Sequence, residues 1–174
     1  MKDYRSELET ARKMALGSGE IIRASYGSLG ESDVTEKRKN DMVTVVDVRS
    51  QDHAVSILRE AFPDDFIVAE ESLKPEVNEG REGASRRWYI DPLDGTTNYI
   101  HAYPMFASSV AFEDDGEVVV GVTYDPMRDE LFTATRGHGA FLNDKPFRVS
   151  AITDRERIFL ATGFPFRARH FLDD

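Results

Sequence analysis

Three carboxylates carry the strongest chemical signal in this sequence. Glu70 closes the apolar run Phe66-Ile67-Val68-Ala69, and Asp91 and Asp94 stand three residues apart in Trp88-Tyr89-Ile90-Asp91-Pro92-Leu93-Asp94-Gly95-Thr96-Thr97-Asn98. None has a histidine or cysteine companion, and an all-oxygen donor set selects Mg²⁺, Mn²⁺ or Ca²⁺ over zinc or copper. The ordered 12-residue loop of an EF-hand is absent, which disfavours a calcium sensor. Mg²⁺ keeps several waters and prefers one or two carboxylates plus a substrate phosphate, so the pattern suits phosphate-ester chemistry. The metal then serves as Lewis acid, water activator and template, and a carboxylate-bridged pair of metals stabilises both the entering and leaving oxygens. Asp94-Gly95 is turn chemistry, and Thr96 or Thr97 can cap a helix whose free N–H groups would face an anion. The competing reading of Glu70-Glu71 is a chain that has simply reached solvent, where acids usually lie. Proximity to the Asp91 turn shifts the balance toward a site.

These side chains need a scaffold. Tyr4, Leu8, Ala11, Ala15 and Ile22 recur at helical spacing and predict a long amphipathic helix over 4–26, ended by Gly27 and Gly30. The charged segment 36–41 then leads into a short strand, Met42 to Val46, with Asp47 at a strand-to-helix junction. Asp47 there reads as the N-cap of a second helix, roughly Ser50 to Phe62. Phe66–Ala69 predicts a buried strand, Lys74–Arg87 a surface loop, and Trp88–Ile90 another strand that Pro92 stops. A short helix ending at Pro104 follows, and then a meander of strands over 106–112, 118–124 and 130–135 with turns at 113–117 and 125–129. Residues 136–141 and 143–145 read as further turns, with glycines too irregular for a dinucleotide-binding fingerprint. Arg157–Gly163 reads as one more strand.

The 174 residues suffice for one substantial core, and the absence of cysteine excludes disulfides, thiolate zinc sites and a cysteine nucleophile. A net charge of -10 argues against nucleic-acid or anionic-membrane surfaces and suits divalent cations. No apolar run spans a bilayer and the polar N-terminus lacks a signal-peptide core, so a soluble cytoplasmic protein is expected. His101, alone between aromatic residues, is read as structural and left out of the site. Lys37, Arg38 and Lys39 read either as a solvated charged turn or as a screen for a phosphate. Thr96 is equally an N-cap or a hydroxyl able to orient a water.

Asp91-Pro92-Leu93-Asp94-Gly95-Thr96-Thr97-Asn98, with Ala69-Glu70-Glu71-Ser72 upstream, resembles the inositol monophosphatase family of Mg²⁺-dependent, lithium-sensitive phosphatases. Further matches fall in the family's order: Asp41-Met42-Val43-Thr44 to Asp47, Gly121–Pro126, Gly137–Phe141 and Ala161–Pro165. The resemblance implies an α+β layered sugar-phosphatase-like fold, two N-terminal helices on a mainly antiparallel sheet. It implies metal ligands at Glu70, Asp91 and Asp94 and at the Leu93 backbone carbonyl, with Glu71 close behind. Two or three Mg²⁺ ions are expected, with Mn²⁺ possible as a substitute. Asp47, Thr96 and Glu70 would orient and activate the attacking water, and Asp94 with the Gly95 and Thr96 N–H groups would hold the phosphate. The charged hairpin around Lys37–Asp41 corresponds to a loop that closes the site in relatives. Family members continue for about ninety residues into an α/β half, so residues 1–157 are read as the N-terminal metal-binding domain and 158–174 as the start of a C-terminal domain that is cut short. The expected activity is hydrolysis of a small phosphate monoester, inositol monophosphate first, by a homodimer. Thr96-Thr97, where the fructose-bisphosphatase branch carries serines, favours the monophosphatase-like branch. Fructose 1,6-bisphosphatase or 3′,5′-bisphosphate nucleotidase activity, or a non-catalytic metal-binding half, are the alternatives.

Overall fold

Every third or fourth residue of the first helix is buried. In α1 (Arg5–Ser25) Ala11, Met14, Ala15, Ser18, Gly19 and Ile22 form one stripe, which a 3.6-residue period places on a single face. The computed structural model describes residues 2–38, 41–71, 75–79 and 81–161. A two-stranded hairpin, β1 (Val34–Arg38) and β2 (Asp41–Thr44), follows α1 and leads directly into α2 (Val45–Ala61). A seven-stranded sheet runs in sequence order: β3 (Phe66–Ala69), β4 (Arg86–Asp94), β5 (Ala107–Asp114), β6 (Glu117–Asp125), β7 (Glu130–Thr135), β8 (Gly139–Leu142) and β9 (Lys145–Phe147). The β3–β4 pair is parallel and every other pair in this sheet is antiparallel. A five-residue helix, α3 (Thr96–Ile100), bridges β4 and β5.

Side chains alternate along the strands, most regularly in β5, so Trp88 and Ile90 of β4, Val110 and Phe112 of β5 and Val120 and Val122 of β6 turn toward α1 and α2. This is the core of the layered α+β fold, two helices on a mainly antiparallel sheet. Trp88 is fully buried against Phe112 and Phe62, at ring-centroid distances of 4.7 and 5.4 Å, and its indole N–H donates to Asp65 Oδ2 at 2.8 Å. Arg86 lies over the rings of Phe112 and Phe62 and pairs with both Asp65 and Glu7, at 2.9 and 3.1 Å. One guanidinium thereby ties α1 to the sheet, using its planar face and its fork together.

Several boundaries differ from the sequence reading, each for a physical reason. The second helix begins at Val45, not near Ser50, because Thr44 and not Asp47 is its N-cap. Pro92 does not stop the strand: β4 continues to Asp94 through a bulge between Asp91 and Asp94, where a residue without an N–H leaves no ladder bond unmade. Neither Thr96 nor Thr97 caps α3; Gly95 does, at φ +99°, a left-handed conformation suited to glycine. The stretch 136–145 is not all turn, since Asn143 and Asp144, both at positive φ, join β8 and β9 in a tight hairpin. The segment Lys74–Arg87 is not wholly loop: 75–78 form a single 3₁₀ turn and Arg86 and Arg87 belong to β4. The Asn78 side chain pairs with both the N–H and the carbonyl of Ile67, standing in for a neighbouring strand at the sheet's β3 edge. Residues 158–161 carry no regular secondary structure, which removes the described part of the strand expected over 157–163; the remainder of that strand lies outside the described residues. Among the described residues no helix is long and apolar enough to cross a membrane.

Candidate active site

Parallel pairing of β3 and β4 brings two carboxylates together. Ala69 lies opposite Ile90, and the Glu70 N–H donates to the Ile90 carbonyl at 3.1 Å, so Glu70, just past the end of β3, comes beside Asp91 in the C-terminal half of β4. In open sheets the carboxyl end of a strand is the usual place for a ligand. Glu70 is exposed and Asp91 half-buried. Burial, then the neighbouring Glu70 carboxylate and a proton shared with it, then Asp94, push Asp91 up to about 8. Asp91 Oδ1 is nonetheless buried with no hydrogen-bond partner, an arrangement that costs stability unless a proton or cation enters.

Asp94 lies just past the bulge and is exposed, and the fully buried Leu93 holds the bend in place. Among the described residues, no three His, Cys, Asp or Glu side chains surround a common point. The structure thus brings Glu70 and Asp91 into contact with Asp94 nearby, without a preassembled three-carboxylate cage. An unpartnered buried carboxylate oxygen among oxygen donors fits a hard divalent cation, which would recruit the backbone and water to complete its shell. The Leu93 carbonyl accepts one hydrogen bond, from Thr96 Oγ1 at 3.1 Å, and retains a second lone pair.

Asp47 is almost fully buried in the first turn of α2. Its Oδ2 accepts from the Thr44 N–H at 2.8 Å and from the Thr44 hydroxyl, while the same hydroxyl accepts from the Val46 and Asp47 N–H groups. This is a reciprocal capping box, and Thr44-Val45-Val46-Asp47 carries its signature. That signal was available in the sequence and outranks the single-residue cap. Capping by Thr44 leaves Asp47 Oδ1 free to accept from Thr96 Oγ1 at 3.0 Å, across 49 residues of chain. Burial raises the Asp47 carboxyl above its ordinary range, partly offset by the Thr44 hydroxyl and amide and by the Thr96 hydroxyl.

Glu71 is buried beside this pair. Its N–H donates to Gln51 Oε1 at 2.9 Å and its carboxylate pairs with Lys37 of β1. Burial raises Glu71, and Lys37 opposes that shift. The hairpin lysine that the sequence offers as a phosphate screen is therefore tied to Glu71. His101 is exposed at the end of α3.

The sequence model of the inositol monophosphatase family matches residues 3–174. The chain belongs to the inositol monophosphatase family. It is 41% identical over 166 residues to the Nus factor SuhB of Escherichia coli K12, covering 94% of this chain and 60% of that protein. It is 34% identical over 171 residues to a fructose-1,6-bisphosphatase/inositol-1-monophosphatase of Aquifex aeolicus, covering 97% and 62%. The solved inositol monophosphatase of Thermotoga maritima superposes with a TM-score of 0.74 at 34% identity, over 83% of this chain and 54% of that one. The inositol monophosphatase fold is thus present, and the chain spans about 60% of the length of these curated relatives.

Proposed function

We propose that this chain is the metal-binding half of a Mg²⁺-dependent phosphate monoester hydrolase, with inositol monophosphate as its first substrate. The observation that carries this reading is the Asp91 carboxyl set against Glu70 with its Oδ1 buried and donorless, five residues before Thr96, whose hydroxyl donates to Asp47. Glu70, Asp91, Asp94 and the Leu93 carbonyl would hold the cation, Mg²⁺ or Mn²⁺, with Glu71 held behind Glu70 by Lys37. When bound, the metal supplies Lewis-acid polarisation of the phosphate and lowers the pKa of water.

The chain's own residues do the rest. The one Thr96 hydroxyl proton has two acceptors in reach, Asp47 Oδ1 at 3.0 Å and the Leu93 carbonyl at 3.1 Å. When it goes to Asp47, the Thr96 Oγ1 lone pairs can accept a hydrogen bond from a water aligned with phosphorus. A proton leaving that water passes to Thr96 Oγ1 as the Thr96 proton moves to Asp47 Oδ1. An Asp47 carboxyl raised by burial is suited to receive it. Glu70 orients the same water from the opposite strand. The Gly95 and Thr96 N–H groups and Asp94 would position the phosphate.

The assay is phosphate release by the intact protein, its mass measured, from inositol 1-phosphate and from fructose 1,6-bisphosphate, with Mg²⁺ and with chelator. Metal-dependent release is expected, faster on the inositol ester; release unaffected by chelation would overturn the reading. His101→Ala should keep most of the rate, within about twofold, because the imidazole is exposed and outside the Thr96–Asp47 network.

A second reading is favoured by the higher identity to the proteins named Nus factor SuhB than to the Aquifex phosphatase. On that reading the chain keeps the metal site but works through protein contacts without turnover. Metal binding without phosphate release would select it.

A further inference from the structure

We infer that Tyr99 and Tyr26 form a reciprocal clamp that positions α3, and with it Thr96, against Asp47. A five-residue helix cannot hold its own conformation or direction in water. Its orientation must come from outside, and two phenols provide it. The Tyr99 hydroxyl, fully buried, donates to the Ile22 carbonyl of α1 at 2.9 Å. That carbonyl is short of its helical donor, because the Tyr26 N–H, four residues on, bonds to Arg23 O instead. Tyr99 therefore caps the C-terminal end of α1 from 77 residues away.

The favour is returned across the same gap. The Tyr26 hydroxyl donates to the Ala102 carbonyl at 2.6 Å, just past the end of α3. Ala102 sits at φ +53°, a conformation that a side-chain-bearing residue holds only when its surroundings fix it. The two tyrosine rings lie 5.8 Å apart, and both contact Phe106 within a small core of Ile22, Val46, Leu93, Tyr99 and Phe106. Val46 is the neighbour of Asp47, and Leu93 supplies the carbonyl that Thr96 touches. The same cluster thus packs under both partners of the 3.0 Å Thr96–Asp47 bond. Burial pushes the Tyr99 phenol up to about 12, so it remains a donor throughout the working range.

In this arrangement Tyr99 and Tyr26 are positioning residues that touch neither substrate nor metal. Their catalytic consequence rests on the proposed role of Thr96; their structural consequence does not. Tyr99→Phe and Tyr26→Phe keep the rings and delete one hydroxyl each, so the small core survives. Hydrogen exchange should show the amides of Tyr99, His101, Ala102 and Tyr103, which close the α3 turn, exchanging about five- to tenfold faster in either variant, as loss of one buried hydrogen bond implies. Strand amides such as those of Ile90 and Val110 should keep their rates. In the intact enzyme kcat should fall about five- to tenfold with KM unchanged.

Exchange that accelerates equally in the strands, or nowhere, overturns the clamp. Unchanged kcat in both variants of an active enzyme overturns its catalytic consequence. If the unmodified protein releases no phosphate, the hydrolase reading fails while the exchange pattern still decides the clamp.

Discussion

Asp91→Asn is expected to remove metal-dependent phosphate release, by at least about 1,000-fold, and at the same time to make the metal-free protein more stable at neutral pH. The two effects share a cause. Without a cation, Asp91 faces Glu70 with a buried oxygen that no donor reaches. An asparagine keeps the shape, cannot acquire the second negative charge that the pair takes on as pH rises toward 8, and offers an N–H to the Glu70 carboxylate. The melting temperature of the metal-free variant should rise by about 2–4 °C, corresponding to about 1 kcal/mol in a chain of this size. The pH dependence has a definite sign. The Asp91 carboxyl is raised from 3.8 to about 8 in the fold, so its contribution to folding is complete below about pH 4 and is lost as pH rises through 8. The advantage of the variant should grow over that window and vanish when saturating Mg²⁺ stabilises the parent protein. Calorimetry from pH 4 to 8, with and without Mg²⁺, checks it. A variant less stable than its parent at pH 7.5 without metal would remove the case for a strained carboxylate pair.

Gly19→Ala should destabilise the protein by about 2–3 kcal/mol, against the usual rule that alanine improves a helix interior by about 1 kcal/mol. Gly19 is buried mid-helix in α1, and a Cβ there would collide with the ring of Tyr124 and touch Pro126 at 3.4 Å. The ring has little room to retreat: it is buried, and its hydroxyl donates to Asp129 at 2.8 Å. Gly17→Ala, two residues earlier, is the control. Its Cβ would meet only the tip of the His53 imidazole, a half-buried side chain that can swing aside, so the cost should be offset by helix propensity and the net change should stay within about 1 kcal/mol. Urea unfolding of both variants decides the matter; equal effects would mean that helix propensity, and not the fit of α1 on β6, governs this face.

Much of this was legible in the sequence, for reasons that local chemistry explains. The period of α1 and the alternation of β5 and β6 place the core directly, and Glu70, Asp91 and Asp94 stand out because acids after apolar strands are unusual. The meeting of Glu70 and Asp91 is implied by the family resemblance but is not legible in either segment alone, since it depends on β3 and β4 being parallel, a property of pairing. Asp47 stands at the strand-to-helix junction that the sequence indicates, but Thr44 takes the N-cap, through a capping box that the simpler single-residue cap hides. Tyr99 and Tyr26 carry no sequence signal at all. A phenol donating to a carbonyl 77 residues distant looks, in one dimension, like any aromatic in a core.

The parallel pairing of β3 and β4 has a bearing on how such a chain can change over generations. Two strands that exit on the same side require the polypeptide between them to travel back the full length of the sheet. Among the described residues, 75–79 and 81–85 lie in sequence between the two strands, and none of them is proposed for the site. Insertions or deletions there lengthen or shorten a detour without moving either end, provided an amide like that of Asn78 still covers the edge of β3. A deletion of one residue inside β4, by contrast, would turn Asp91 to the opposite face of the sheet. Length variation should therefore collect in this return path, while the spacing from Trp88 to Thr96 stays fixed.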